Sequence, residues 1–270
     1  MDYVLSLSYG KDSMACLGAI EHLGWPLTRI VTADLWATPT IPADHPLMVE
    51  YKEYADRIIK KRYGITVEHF ATKYAEGISG ERVSYEECFY REMTSGKFVG
   101  RIKGFPMLKG NWCTKLKLNA IQQMGLSGDN CVQYLGIAAD EPKRIARHIN
   151  KPGVMLPLVE LGWEEDMCGL WCQYSGLLSP AYNTSNREGC WFCHNQGVDQ
   201  LRQLRRNYPD LWALLLKWDV DSPVSFKPDG RTVHDYDRRF QLEDEHLIQS
   251  DKRFLWKMLD DDEPLQMSLF

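Results

Sequence analysis

Residues 4–13 read Val4-Leu5-Ser6-Leu7-Ser8-Tyr9-Gly10-Lys11-Asp12-Ser13. A short apolar run leads into a turn of small, polar and charged residues. Apolar residues then recur at helical spacing, at Met14, Leu17, Ile20 and Leu23. The N-terminal region is therefore predicted to form a strand, a loop and a helix, in that order.

The predicted loop has the chemistry of an anion-binding site. Gly10 lets the backbone approach a ligand closely, and the first amides of the following helix have no intrahelical partner. Because the positive end of the helix dipole lies behind these amides, a phosphate is the expected ligand. Lys11 adds a mobile positive charge, and Asp12 can cap the helix or hold Mg²⁺. We assign the whole loop to cofactor binding: Ser8, Tyr9, Gly10, Lys11, Asp12 and Ser13.

The loop matches neither of two common nucleotide-binding motifs. The Walker spacing Gly-x4-Gly-Lys-Ser/Thr is absent, and so is the dinucleotide fingerprint Gly-x-Gly-x-x-Gly. The alternative interpretation is an ordinary strand-to-helix turn in which Lys11 is merely solvated.

Composition limits the classes of protein to which the chain can belong. At 270 residues it can bury one sizeable core with an extension. A net charge of −5 argues against a generally basic nucleic-acid binder, although a local basic groove stays possible. No signal peptide and no membrane-spanning run is found, so a cytoplasmic protein without a membrane partner is expected. In a reducing compartment the eight cysteines favour metal, cluster or catalytic sites over disulfides.

Further strands are predicted at residues 28–34 and 65–70, with a helical pattern at 48–63 between them. The order βαβαβ indicates a doubly wound, mostly parallel α/β sheet. Ligands bind at the carboxyl ends of the strands in such sheets, so Asp34 is expected to face the nucleotide or its metal. A helix cap or turn aspartate is the alternative for Asp34.

Two later segments carry candidate site residues. Residues 111–118 open a helix with Cys113 and Lys117, an arrangement that favours a thiolate or a phosphate. Residues 131–137 form another predicted strand, which contains Gly136. Asp140 and Arg144 follow this strand and are expected to point into the same crevice as Lys11.

We predict three regions. Residues 1–160 form a nucleotide-binding α/β domain, and residues 161–258 form a cysteine-bearing helical extension packed on it. Residues 259–270 form an acidic, flexible tail. The extension becomes helical from about Val198, with an apolar stripe that includes Leu201, Leu204, Tyr208, Trp212 and Leu215.

Several stretches together resemble the phosphoadenosine phosphosulfate (PAPS) reductase-like family of PP-loop ATP pyrophosphatases. The matching positions, in chain order, are Ser8 to Ser13, Cys113 with Lys117, Gly136 with Asp140 and Arg144, Pro157 with Trp163, and Pro180 with Tyr182, Arg187, Cys190 and Cys193. The resemblance implies an adenine nucleotide alpha hydrolase fold with ATP and Mg²⁺ over the loop. It also implies catalytic roles for Lys11, Asp12, Lys117, Asp140 and Arg144.

One departure from the family affects the predicted reaction. Members that reduce sulfonucleotides use a C-terminal nucleophilic cysteine, whereas no cysteine follows Cys193 here. The chain is closer in type to the DndC-like and phage-type relatives, which hydrolyse ATP. The resemblance therefore implies adenylation of a substrate for sulfur transfer, in modification of nucleic acid similar to DNA phosphorothioation or in defence. Such a reaction needs a partner that donates sulfur. A PAPS or adenosine phosphosulfate (APS) reductase with an unusual thiol is the alternative.

The cysteine spacing allows a metal site. Cys190-x-x-Cys193 serves zinc, iron–sulfur and redox sites alike. With Cys113 and Cys172 it would give four thiolates for a [4Fe–4S] cluster, with Zn²⁺ as second choice and a sulfur-carrying pair as third. Cys168 or His194 could replace Cys172 as the fourth ligand. Cys172 and Cys168 could also be buried simply as small apolar side chains.

The chain ends Gln266-Met267-Ser268-Leu269-Phe270, which resembles the peptide by which bacterial replication and repair proteins bind the DNA sliding clamp. An extended tail can deliver such an apolar pair to a pocket. The alternative is that both apolar residues fold back on their own core. A nucleotide-binding adaptor without catalysis, tethered to the clamp, is the third hypothesis for function.

Overall fold

The structure of the chain, a computed structural model, describes residues 1–75, 77–106, 112–126, 130–183, 189–250 and 256. The predicted tail, with its clamp-like peptide Gln266–Phe270, lies outside these ranges, and so does Arg187.

A five-stranded parallel sheet forms the centre of the fold, in the order β3-β2-β1-β6-β7. Its strands are β1 (Asp2–Ser6), β2 (Arg29–Asp34), β3 (Val67–Ala71), β6 (Cys131–Tyr134) and β7 (Val154–Met155). Two short strands, β4 (Tyr74–Ala75) and β5 (Ile78–Ser79), form a separate antiparallel pair. The predicted α/β class with a mostly parallel sheet is confirmed. Because the strand order reverses beside β1, the loops after β1 and β6 flank the point where such sheets bind ligands.

Helices connect and follow the strands. In chain order they are α1 (Lys11–Leu23), α2 (Pro46–Tyr63), α3 (Tyr85–Phe89), α4 (Trp112–Gln123), α5 (Pro142–His148), α6 (Pro157–Glu160), α7 (Glu165–Tyr174), a 3₁₀ turn (Pro180–Asn183), α8 (Val198–Asn207), α9 (Pro209–Asp221) and α10 (Val233–Asp244). In the part of the chain that the structure describes, no helix is long and apolar enough to cross a membrane.

The central helix α1 is held by close packing. Eight consecutive residues of α1, from Ser13 to Ile20, are buried. Gly18 allows α7 to approach, because a Cβ atom there would lie 2.2 Å from the ring of Trp171. Cys168 and Cys172, on α7, belong to the same core cluster as Met14 and Leu17 of α1. The start of α1, which carries the candidate loop, is therefore anchored in the hydrophobic core.

The chain divides into two compact units. The first contains residues 1–91 and 111–191, and the second contains residues 92–110 and 192–270. This division passes between Trp191 and Phe192 rather than near residue 160, where the sequence suggested a boundary. The physical reason is that α7 packs on α1 and so belongs with the sheet.

In the second unit helices begin at Val198, as predicted, and occupy residues 198–207, 209–221 and 233–244, but the stripe does not run along one helix. Helix α8 ends at Asn207 and α9 begins at Pro209. A proline has no amide hydrogen and clashes with the preceding turn, so it starts a helix more readily than it continues one. Inside this unit Glu243 accepts hydrogen bonds from both Arg202 and Arg239.

Candidate functional site

The loop after β1 is tightly hydrogen bonded. Gly10 is the N-cap of α1, with extended backbone at φ −68° and ψ 154°. The Ser13 hydroxyl donates to the Gly10 carbonyl at 3.0 Å and accepts from the Ser8 amide at 3.1 Å. The Lys11 amide donates to the Tyr182 hydroxyl at 3.0 Å. These bonds hold the predicted loop at the carboxyl end of the central strand, where the helix N-terminus can face an anion.

Gly136 lies against this loop. A Cβ atom at position 136 would be 2.6 Å from the Ser13 Cα atom and 2.7 Å from the Ser13 nitrogen. Both are backbone atoms, which cannot rotate away as a flexible side chain can. Only glycine therefore permits the segment after β6 to approach the loop this closely. This gives a physical reason for the glycine at this predicted site position.

The Lys11 ammonium group is held by carboxylates. Its Nζ atom lies 2.7 Å from Asp12 Oδ1 and 3.0 Å from Glu165 Oε2. Burial alone would lower the pKa of Lys11, but the hydrogen bonds to these two carboxylates outweigh it and raise that pKa. Burial raises the pKa of Asp12, and Lys11 opposes this effect. The lysine is thus fully charged beside the loop, and a phosphate would replace one of its carboxylate partners.

The predicted residue Asp34 lies at the end of β2 and takes part in a polar network. Its Oδ2 atom lies 2.7 Å from His69 Nδ1, and its Oδ1 atom accepts from Lys52 Nζ at 3.1 Å. Lys52 also donates to Asp44. Burial would raise the pKa of Asp34, but the hydrogen bond from His69 and the charge of Lys52 outweigh it and lower that pKa. Asp34 is therefore ionised and fixed.

The network continues from His69 to the loop. His69 Nε2 lies 2.9 Å from Asp56 Oδ2, and the Tyr9 hydroxyl donates to Asp56 Oδ1 at 2.6 Å. The hydrogen bonds to Asp34 and Asp56 raise the pKa of His69 to about 9, against the effect of burial. Tyr9 itself has φ 62°, a left-handed conformation that favours glycine.

A cavity opens beside the loop in the first unit. Its walls include Ser8 of the loop, Lys117 of α4 and Cys190, together with Leu7, Thr32, Ala33, Leu35, Asp44, Lys52 and Gly189. Cys190 is held there by an antiparallel bridge to Asp44. The structure thus brings together the predicted residues Ser8, Lys117 and Cys190, and adds Lys52 and Asp44 to them.

The predicted residues after β6, Asp140 and Arg144, lie near the start of α5, and Asp140 also contacts the start of α7. Asp140 is exposed and accepts a 3.3 Å hydrogen bond from the Glu165 amide, at the beginning of α7. Arg144 is exposed and pairs with Glu141. Glu165, which itself contacts Lys11, links this segment to the loop.

The predicted metal ligands are placed differently from one another. Cys190 lines the cavity, and Cys113 is half-buried at the start of α4. Cys172 is fully buried and its thiol donates to the Lys11 carbonyl at 3.2 Å, so it supports the contact between α7 and α1. Cys193 belongs to the second unit. Among the described residues, no three His, Cys, Asp or Glu side chains are grouped so that they could hold a metal ion.

Sequence reasoning missed four residues of the network: Lys52, Asp44, Asp56 and His69. His69 alone carried a recognisable signal, since it is a polar residue near the end of a predicted parallel strand. Lys52 and Asp56 lie on α2, where charged residues are ordinarily solvated.

We expect the free energy of unfolding to fall as pH rises through the titration of His69. Its pKa is about 9 in the folded chain, above the ordinary value of about 6.5. The stabilisation is therefore complete below about pH 6.5 and is lost by about pH 9, and it amounts to about 1–2 kcal/mol after allowance for solvent screening. Urea unfolding across this window measures it. In His69→Gln this part of the pH dependence should vanish, and parallel curves for the two proteins would contradict the assignment.

Comparison with known proteins gives little beyond this geometry. No protein-family model matches the sequence, and no curated protein matches it. Among solved structures, the chain is similar to the U34-tRNA thiolase NcsA from Methanococcus maripaludis with its [4Fe-4S] cluster, at 14% identity and a TM-score of 0.36. The likeness covers 89% of this chain and 72% of that chain. Because the TM-score is so low, this likeness carries no argument about function, which has to be inferred from the residues of this chain.

Proposed function

We propose that the chain cleaves ATP between its α and β phosphates, transfers the adenylate to a substrate with release of pyrophosphate, and thereby activates that substrate for sulfur transfer with release of AMP. The observation that carries the proposal is the loop Ser8 to Ser13. It presents a helix N-terminus and the charged Lys11 at the reversal point of a parallel sheet, with Gly136 packed against it. The order of residues that resembles the PP-loop ATP pyrophosphatases supports the same reaction.

The residues of the chain suit the individual steps. The loop amides and Lys11 would bind the phosphates and stabilise charge on the departing pyrophosphate. A substrate oxygen attacks the α-phosphorus, the bond to pyrophosphate breaks, and an adenylated substrate forms. A hydrosulfide ion from a sulfur donor then attacks the activated carbon or phosphorus, the bond from that atom to the adenylated oxygen breaks, and AMP leaves with the oxygen. Asp12 is the carboxylate on the loop that could share Mg²⁺ with the phosphates, and the ion would neutralise their charge.

Nucleic acid is the acceptor class that we propose. The resemblance to DndC-like relatives and the lack of any cysteine after Cys193 support it over reduction of PAPS. A sulfur-donating protein and a sliding clamp are the corresponding partners. The clamp proposal rests on the sequence of residues 266–270 alone.

The four-cysteine site stays a prediction. Cys172 already has a structural role in the core, where its thiol donates to the Lys11 carbonyl. Anaerobic purification followed by analysis of iron, sulfide and zinc distinguishes a cluster, a zinc site and metal-free thiols.

Product analysis tests the proposed function. The purified chain, incubated with Mg²⁺, sulfide, cellular nucleic acid and ATP labelled in the adenine ring, should release AMP, and a coupled assay should detect an equal amount of pyrophosphate. Release of ADP and phosphate would contradict the proposal. Tight ATP binding without turnover would instead support an adaptor, and thiol-dependent release of sulfite from PAPS would support a reductase.

A further inference from the structure

Tyr9 occupies a backbone position that disfavours its side chain. Its φ of 62° lies in the left-handed region, where a Cβ atom is strained and glycine is preferred. Tyr9 is nevertheless completely buried, at 0% exposure. A strained residue persists only where its surroundings hold it in place, so the contacts of this side chain must offset the strain.

Tyr9 makes several polar and aromatic contacts with elements outside the loop. The hydroxyl group donates to Asp56 on α2 at 2.6 Å. The ring packs edge-on against Tyr51, with centroids 6.4 Å apart, and the Lys52 ammonium lies 5.2 Å from the ring centroid. Burial and the neighbouring Asp56 raise the pKa of Tyr9 well above its usual range, so the hydroxyl keeps its proton and stays a donor.

Hydrogen bonds also join Asp56 to His69 and His69 to Asp34. The second oxygen of Asp56 lies 2.9 Å from His69 Nε2, and His69 Nδ1 lies 2.7 Å from Asp34 Oδ2. The chain of bonds Tyr9–Asp56–His69–Asp34 therefore starts in the loop after β1 and ends at the carboxylate after β2. These two positions are neighbours at the same edge of the sheet.

We propose that Tyr9 is a positioning residue that sets the conformation of the loop Ser8 to Ser13 and its distance from Asp34. Binding of a nucleotide between the loop and Asp34 rests on the proposed function. The loop itself is held whether or not a ligand is present. A loop fixed in advance binds its ligand more tightly, because less conformational freedom is lost on binding. Loss of the Tyr9 hydroxyl would remove the hydrogen bond to Asp56, so the loop would keep only the ring contacts of Tyr9 as its described side-chain link to α2.

Tyr9→Phe tests this role, because it removes one hydroxyl and keeps the buried ring. Hydrogen exchange of the peptide that contains residues 8–13 reports opening of the loop in the ligand-free chain. Binding of α,β-methylene-ATP with Mg²⁺ reports the effect on the nucleotide. Because the lost bond reaches a charged group, we expect exchange about tenfold faster and binding about tenfold weaker.

Tyr134→Phe is the matched control. Tyr134 is equally buried, and its hydroxyl donates to the Pro26 carbonyl at 2.9 Å, before β2 and therefore at the opposite edge of the sheet. This variant should lower the unfolding temperature and leave loop exchange unchanged. If Tyr9→Phe does not fold, Asp56→Asn removes the same acceptor charge and is measured in the same way.

The outcomes separate the positioning role from the proposed function. Faster loop exchange in Tyr9→Phe but not in Tyr134→Phe supports the positioning role, even if the wild-type chain binds no nucleotide. In that case only the proposed function fails. Unchanged loop exchange in Tyr9→Phe, or an equal increase in Tyr134→Phe, overturns the positioning role.

Discussion

Replacement of Lys11 by alanine should reduce the rate of AMP and pyrophosphate formation by about 10²–10³-fold, the range found when one preorganised charge or donor is removed from a reaction centre. The physical reason is that the Lys11 ammonium is the positive charge fixed at the loop. Among the described residues it pairs with Asp12 and Glu165, partners that a phosphate oxygen can displace. Steady-state measurement of both products as a function of ATP concentration gives the effect.

The Lys11 result needs a control for folding. Lys61, an exposed lysine near the end of α2, offers one, and Lys61→Ala should keep wild-type activity. Both variants should unfold at a temperature close to that of the wild-type chain, since Lys11 contributes little to the core. An active Lys11→Ala variant would show that the phosphates are bound elsewhere.

Gly136→Ala should weaken nucleotide binding by about 10²-fold or more, because a displacement of about 1 Å at a reaction centre is enough for such a loss. The added methyl group would lie 2.6 Å from the Ser13 Cα atom, so the loop or the end of β6 must move. Calorimetric titration with α,β-methylene-ATP measures the change. We also expect a loss of stability of about 1–3 kcal/mol from overpacking.

Gly169→Ala is the control for Gly136→Ala. Gly169 lies in α7, and a Cβ atom there meets nothing within 4 Å. Alanine favours helix over glycine, so this substitution should be neutral or slightly stabilising. If Gly136→Ala bound the analogue as tightly as the wild-type chain, the loop would not be the phosphate site.

The sequence was most informative where one local pattern determines one local structure. The apolar run, the turn and the helical spacing of residues 4–23 predicted β1, the loop and α1 correctly. Asp34 was placed at the carboxyl end of β2 because parallel strands bring their carboxyl ends to one edge of the sheet. These inferences need only the order of elements and the rule about strand ends.

Other features depend on contacts between distant residues and were beyond such reasoning. Asp56 on α2 comes within hydrogen-bond distance of Tyr9 only when β1 and β3 are paired on either side of β2. The left-handed conformation of Tyr9 contradicts its own local preference and is held by tertiary contacts. Cys172 fits a metal motif by spacing, yet packing on α1 determines where it lies.

The division of the chain into two units also affects the order in which its parts can fold during synthesis on the ribosome. The first unit, which contains the sheet and its candidate loop, ends at Trp191, so we expect it to fold while translation continues. The segment at 92–106 emerges early but belongs with partners that are synthesised only after residue 191. Phe105, whose ring packs against Phe226 with centroids 5.1 Å apart, is therefore synthesised long before its partner, and we expect chaperones that bind exposed apolar side chains to contact this segment during that interval.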